Sequence, residues 1–121
     1  MKNKILLFIL PFLFSVSSFS QEYKIESAFY KGEGRELIFP YEGTIKITEN
    51  KFIMDTNVLF LDAVIFKDVK GNSKIQYQNL EYTIEVIEES GVFDKKKYDV
   101  KIITKTKDII GGTKCEYYCT R

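Results

Sequence analysis

Thr44-Ile45-Lys46-Ile47-Thr48-Glu49-Asn50-Lys51-Phe52-Ile53-Met54-Asp55 is the segment on which the fold assignment turns. Apolar and polar residues alternate on both sides of Glu49-Asn50, the period of two half-buried strands. With Glu49-Asn50 as a two-residue turn and Asn50 at positive φ, Ile47 faces Phe52 and Ile45 faces Met54. One face of the hairpin is then wholly apolar. On the other, Lys46 meets Ile53 and Thr44 meets Asp55, so the register that closes the turn also sorts the side chains.

The same punctuation continues outward. Toward the N-terminus, Tyr23 to Tyr30 alternates, with Tyr23, Ile25, Ser27 and Phe29 on one face, and Gly32-Glu33-Gly34 breaks it. Leu37, Phe39 and Tyr41 share a face, and Pro40 marks an edge or a strand end because it lacks a ladder donor. Toward the C-terminus, Val58 to Phe66 is apolar except for Asp62; it is read as a central strand covered on both sides, with a short helix opened by Asp55-Thr56-Asn57 as the competitor. Asp68 to Ser73 is a turn. From Ile75 to Ile87 the apolar parity changes from odd to even, which a bulge or bend near Gln78-Asn79 would absorb. Pairing Val86 with Val100 and Ile84 with Ile102 sets Glu85 opposite Lys101 and Glu81 opposite Lys105. The connection from Glu88 to Lys97 is long, and Gly111-Gly112 precedes a last segment, Thr113 to Tyr118. About eight segments with short connections predict an all-β antiparallel meander, closed into a small lipocalin-like barrel or folded into a two-layer sandwich.

Met1 to Ser20 has the build of a secretory signal peptide: Lys2 and Lys4, an apolar run from Ile5 to Phe14, and a small polar end at Ser18-Phe19-Ser20. Ten residues interrupted by Pro11 are too few for a span, which takes about 20. Cleavage after Ser20 leaves a single domain, residues 21–121, with no membrane span, in a periplasmic or extracellular setting. Loss of Lys2 and Lys4 turns 18 basic residues into 16 against 17 acidic ones, a balance of −1. That balance gives no electrostatic reason for a nucleic-acid partner.

The sequence has no His, which removes the imidazole base, the Ser-His and Cys-His nucleophile pairs and the commonest zinc ligand. No cofactor or metal is expected, since two thiols alone hold neither zinc nor an iron-sulfur centre. Asp55-Thr56-Asn57 lacks the calcium-loop pattern and is read as a turn or cap. Gly32-Glu33-Gly34 and Gly111-Gly112 lack phosphate-loop spacing. Asp62 is the odd carboxylate; buried and unpaired it would mark a site, whereas facing outward or paired with a lysine it would not. Lys95-Lys96-Lys97 is the one basic concentration, read as a solvated loop tip that would also suit an acidic partner.

Cys115 and Cys119 are the disulfide candidates, because export and an even count favour a bond. An extended strand opposes it: four residues span roughly 13 Å, while a bridge needs Cα atoms within about 7 Å. Together these features point to an exported, non-enzymatic binding module for a small apolar ligand, with tyrosines at a barrel mouth, or for a partner protein. The rival is a hydrolase-type enzyme whose polar residues converge only in three dimensions.

Overall fold

The hairpin at 44–55 forms with every expected pair: Thr44 with Asp55, Ile45 with Met54, Lys46 with Ile53 and Ile47 with Phe52. In the computed structural model, which describes residues 20–39, 41–107 and 112–121, it joins β3 (Gly43–Thr48) to β4 (Lys51–Thr56). Asn50 does not take a positive φ. The turn is closed instead by Thr48, whose Oγ1 accepts the Lys51 N–H at 3.0 Å. The expected signal segment before Ser20 lies outside the described residues, as do Pro40 and Gly111.

The remaining strands are β1 (Ser20–Gly32), β2 (Arg35–Phe39), β5 (Phe60–Val64), β6 (Phe66–Lys67), β7 (Ser73–Tyr77), β8 (Leu80–Ile87), β9 (Gly91–Phe93), β10 (Lys96–Tyr98), β11 (Val100–Thr106) and β12 (Thr113–Thr120). All pairings are antiparallel. The main sheet has ten strands in the order β5-β4-β3-β1-β12-β11-β8-β7-β6, with β2 beside β1. β2 and β3 lie along the same side of β1, and β5 and β6 are separated only by Ile65, so the ten strands act as eight: a meander whose last strand, β12, returns to pair with the first. β5 pairs with β4 and β6 with β7, so the wall turns its final corner at Ile65 and is nearly closed into a barrel. The expected all-β meander is thus present in its barrel form.

Several local expectations need correction. Glu26 is an extra residue on β1, between the Ile25–Cys119 and Ser27–Tyr118 pairs. This bulge puts Tyr23, Ile25 and Ala28 inside and turns Ser27 and Phe29 to the outer face. At 78–79 there is no bulge but a two-residue hairpin loop, Gln78 and Asn79 both at positive φ (52° and 66°), with Tyr77 opposite Leu80. Such a loop pairs odd with even positions, which is why the apolar parity changes there. Within Val58 to Phe66, Phe60–Val64 is strand, not helix, but it is not covered on both sides: Phe60 and Val64 are 64% and 60% exposed, and only alternate residues face the core. Between β8 and β11 the register is displaced by two, Val86 facing Ile102 and Ile84 facing Thr104. A slip of two leaves every side chain on its expected face, so alternation cannot detect it. Lys101 then pairs with Glu89 at 3.5 Å and Glu81 with Lys74 at 3.4 Å, in place of the expected cross-strand pairs.

Lys95-Lys96-Lys97 sits at the tip of a hairpin, exposed as expected: β9 and β10 pair across Asp94-Lys95, both at positive φ. The hairpin lies over the outer face of the sheet, where Phe93 stacks on Tyr118 with ring centroids 4.0 Å apart and meets Phe29 edge-on at 6.0 Å. Lys96 Nζ donates to the Glu26 carbonyl at 3.1 Å, satisfying an acceptor at the bulge. The core proper is inside the barrel, where Ile45, Phe52, Val100, Ile102 and Cys119 are fully buried.

Candidate functional site

Inward positions of β11 and β12 alternate as Val100, Ile102, Thr104 and Cys115, Tyr117, Cys119. Near the Glu49-Asn50 turn, Ser20 and Arg121, small and branched side chains from these strands meet Tyr23, Ile25 and Ile45, all buried. Toward the opposite end, with the 33–34 and 78–79 turns, the interior opens into a pocket of about 190 Å³. Phe52, Met54, Leu61 and Ile75 supply apolar walls, and Thr104, Cys115 and the tyrosines 41, 77, 82 and 117 add polar tips.

Burial holds Tyr117, Tyr41 and Cys115 in their protonated forms. It pushes the Tyr117 hydroxyl well above its ordinary range, with the Cys115 thiol adding to the rise, and it raises Tyr41 for the same reason. Burial also pushes the Cys115 thiol up, and hydrogen bonding with Tyr117 and Thr104 pulls it part of the way back. A neutral thiol is a poor nucleophile and a poor metal ligand. The arrangement offers a largely apolar pocket lined by uncharged residues, with a few hydrogen-bonding groups converging on it.

The residues singled out in the sequence do not gather. Asp62 points out of β5 and forms an ion pair with Lys51 at 3.1 Å, both side chains more than two-fifths exposed. Lys95 and Lys97 are exposed on the β9–β10 hairpin, remote from the pocket. Asp55 and Thr56 end β4, and in the turn that follows Thr56 Oγ1 accepts the Leu59 N–H at 2.9 Å. Cys115 and Cys119 are free thiols on one continuous extended strand, so the expected disulfide is not formed. Cys115 lines the pocket; Cys119 is sealed at the packed end, its Sγ 3.5 Å from the Tyr117 carbonyl. Among the described residues no three His, Cys, Asp or Glu side chains come together as a metal site. Thr104 and Tyr117 were not singled out in the sequence as site residues; the signals for them were the parity of Thr104 with Val100 and Ile102 and of Tyr117 with Cys115 and Cys119.

No known protein family, curated protein or solved structure matches the chain.

Proposed function

We propose that the chain is an exported binding module whose barrel takes one small, neutral, largely apolar ligand. The observation that carries this reading is the pocket of about 190 Å³ lined by aliphatic and tyrosine side chains. Sites for drug-sized ligands run to about 300–1,000 Å³, whereas an apolar cavity of about 150 Å³ holds benzene, so a single ring with one polar substituent fits the space. No Asp, Glu, Lys or Arg is among the lining residues, so a charged ligand would lose its hydration without gaining a partner. The same lack of a lining carboxylate or lysine favours binding over a hydrolase-type reaction, which needs a group to accept a proton.

Native mass spectrometry and thermal melts of the full chain with phenol, cyclohexanol and benzoate test the reading. Phenol and cyclohexanol are expected to raise the melting temperature and add one bound mass, and benzoate to do neither; at a hundredfold excess over Kd the stabilisation is about 2.7 kcal/mol. Leu61→Trp, which fills the pocket, is expected to abolish the effect. Equal shifts in that variant, or none with either neutral ligand, would overturn the proposal. A partner protein is the second reading, supported by Phe60 and Val64, exposed on the outer face of β5 on either side of Asp62.

A further inference from the structure

Cross-strand registers on the outer wall combine into one row: Lys74 opposite Thr83, Thr83 opposite Lys105, Lys105 opposite Lys114, Lys114 opposite Lys31, and Lys31 opposite Glu36. Neighbouring strands stand about 4.8 Å apart, so Lys105, Lys114 and Lys31 sit side by side on β11, β12 and β1. Like charges directly opposite one another destabilise a sheet. Carboxylates relieve part of this cost, Glu36 at 3.8 Å from Lys31 and Glu116 at 3.1 Å from Lys114. Lys105, in the middle, forms no ion pair among the described residues.

The row lines an open groove of about 1700 Å³ between the β1–β2 hairpin, which contributes Arg35, and the β6–β7 turn, which contributes Lys70. Among the described residues no aromatic side chain lines it, so they offer no ring on which a nucleobase could stack. Glu33, Glu36, Asp68, Glu81 and Glu85 stand among the bases as acceptors. A ligand that suits both sets presents anions to the lysines and hydroxyl donors to the carboxylates. Bare polyphosphate has the first and lacks the second.

We propose that this groove binds a linear acidic polysaccharide with one carboxylate per sugar, laid across the strands along the lysine row. Each ammonium takes a sugar carboxylate in a charge-assisted hydrogen bond, and ring hydroxyls donate to the groove glutamates. The site lies outside the barrel and does not depend on the interior pocket.

Calorimetric titration of the full chain with polygalacturonate oligomers at low salt tests the proposal. Binding is expected, weakening as salt rises. The Lys31→Gln, Lys105→Gln, Lys114→Gln triple variant is expected to bind at least tenfold more weakly, and Lys105→Gln alone several-fold more weakly. Lys95→Gln with Lys97→Gln, on the β9–β10 hairpin, is expected to leave binding unchanged. Relief of like-charge contacts keeps the melting temperature of the Lys105→Gln chain level or raises it, which separates loss of the site from loss of the fold. No binding by the native chain, undiminished binding by the folded variants, or equally tight binding of polyphosphate or DNA would overturn the proposal.

Discussion

Cys119 and Cys115 share one strand and one face, yet they stand in different interiors. Around Cys119 the barrel is solid, with Tyr23, Ile25, Ile45 and Val100 all buried, whereas Cys115 borders open space. At the Cys119 level the wall is continuous hydrogen-bonded sheet, β3 to β1 to β12 to β11. At the Cys115 level the pocket draws Leu61 from β5 and Ile75 and Tyr77 from β7, two strands that approach without pairing. Where the ladder is interrupted the wall is not drawn to strand spacing, and the side chains behind it stand apart.

The largest expected contrast is in truncation. Ile45→Ala at the solid end removes a fully buried side chain and should cost about 2–5 kcal/mol, while Cys115→Ala at the open end, which removes one group beside existing space, should cost about 1 kcal/mol. Urea unfolding of both variants measures this, and similar losses would mean that the pocket is filled in solution.

A pH series sharpens the same comparison. Burial pushes the Cys119 thiol up to about 12, with the charges of Glu26 and Asp99 adding to the rise. The unfolded chain therefore releases this proton at lower pH than the folded one, so the stability is fully present below an unfolded thiol pKa of about 8.5 and is lost as pH rises toward 12. Thermal melts from neutral to strongly alkaline pH should show that fall, and Cys119→Ala should flatten it. An unchanged alkaline slope in the variant would place the lost proton elsewhere.

The smallest effect belongs to the outer side of the open-end wall. Asp62→Asn breaks the exposed Lys51 pair and should change stability by less than about 1 kcal/mol, measured by the same urea titration. A larger loss would show that the outer surface of β5 matters to closure.

How far these features were legible in the sequence differs from element to element. The 44–55 hairpin was readable pair by pair, because a two-residue loop ties register to alternation over a few residues. The 75–87 segment carried the same signature, a parity change across two residues that tolerate positive φ, and it was read as a bulge because no turn motif flagged Gln78-Asn79. Glu26 gave no sign of its bulge, since the residues around it continue a plausible alternation onto the wrong face. Of the pocket, the taste for tyrosine was visible, but the convergence of Thr104, Cys115 and Tyr117 with Tyr41 and Leu61 was not.

Local alternation and turn chemistry were enough to specify an antiparallel meander and most inward and outward faces, but they left open whether Thr113 to Tyr118 runs extended with its two thiols apart, which the strand pairing decides. Those properties depend on neighbours a few residues away, where a period of two carries the information. The β8–β11 register, the return of β12 to β1, the corner at Ile65 and the lysine row were fixed by the folded chain. They are relations between strands far apart in sequence, and a slip of two residues preserves every face while changing every partner. Packing of whole side-chain sets across the closed wall selects among such registers, and that energy appears only when all the strands are in place.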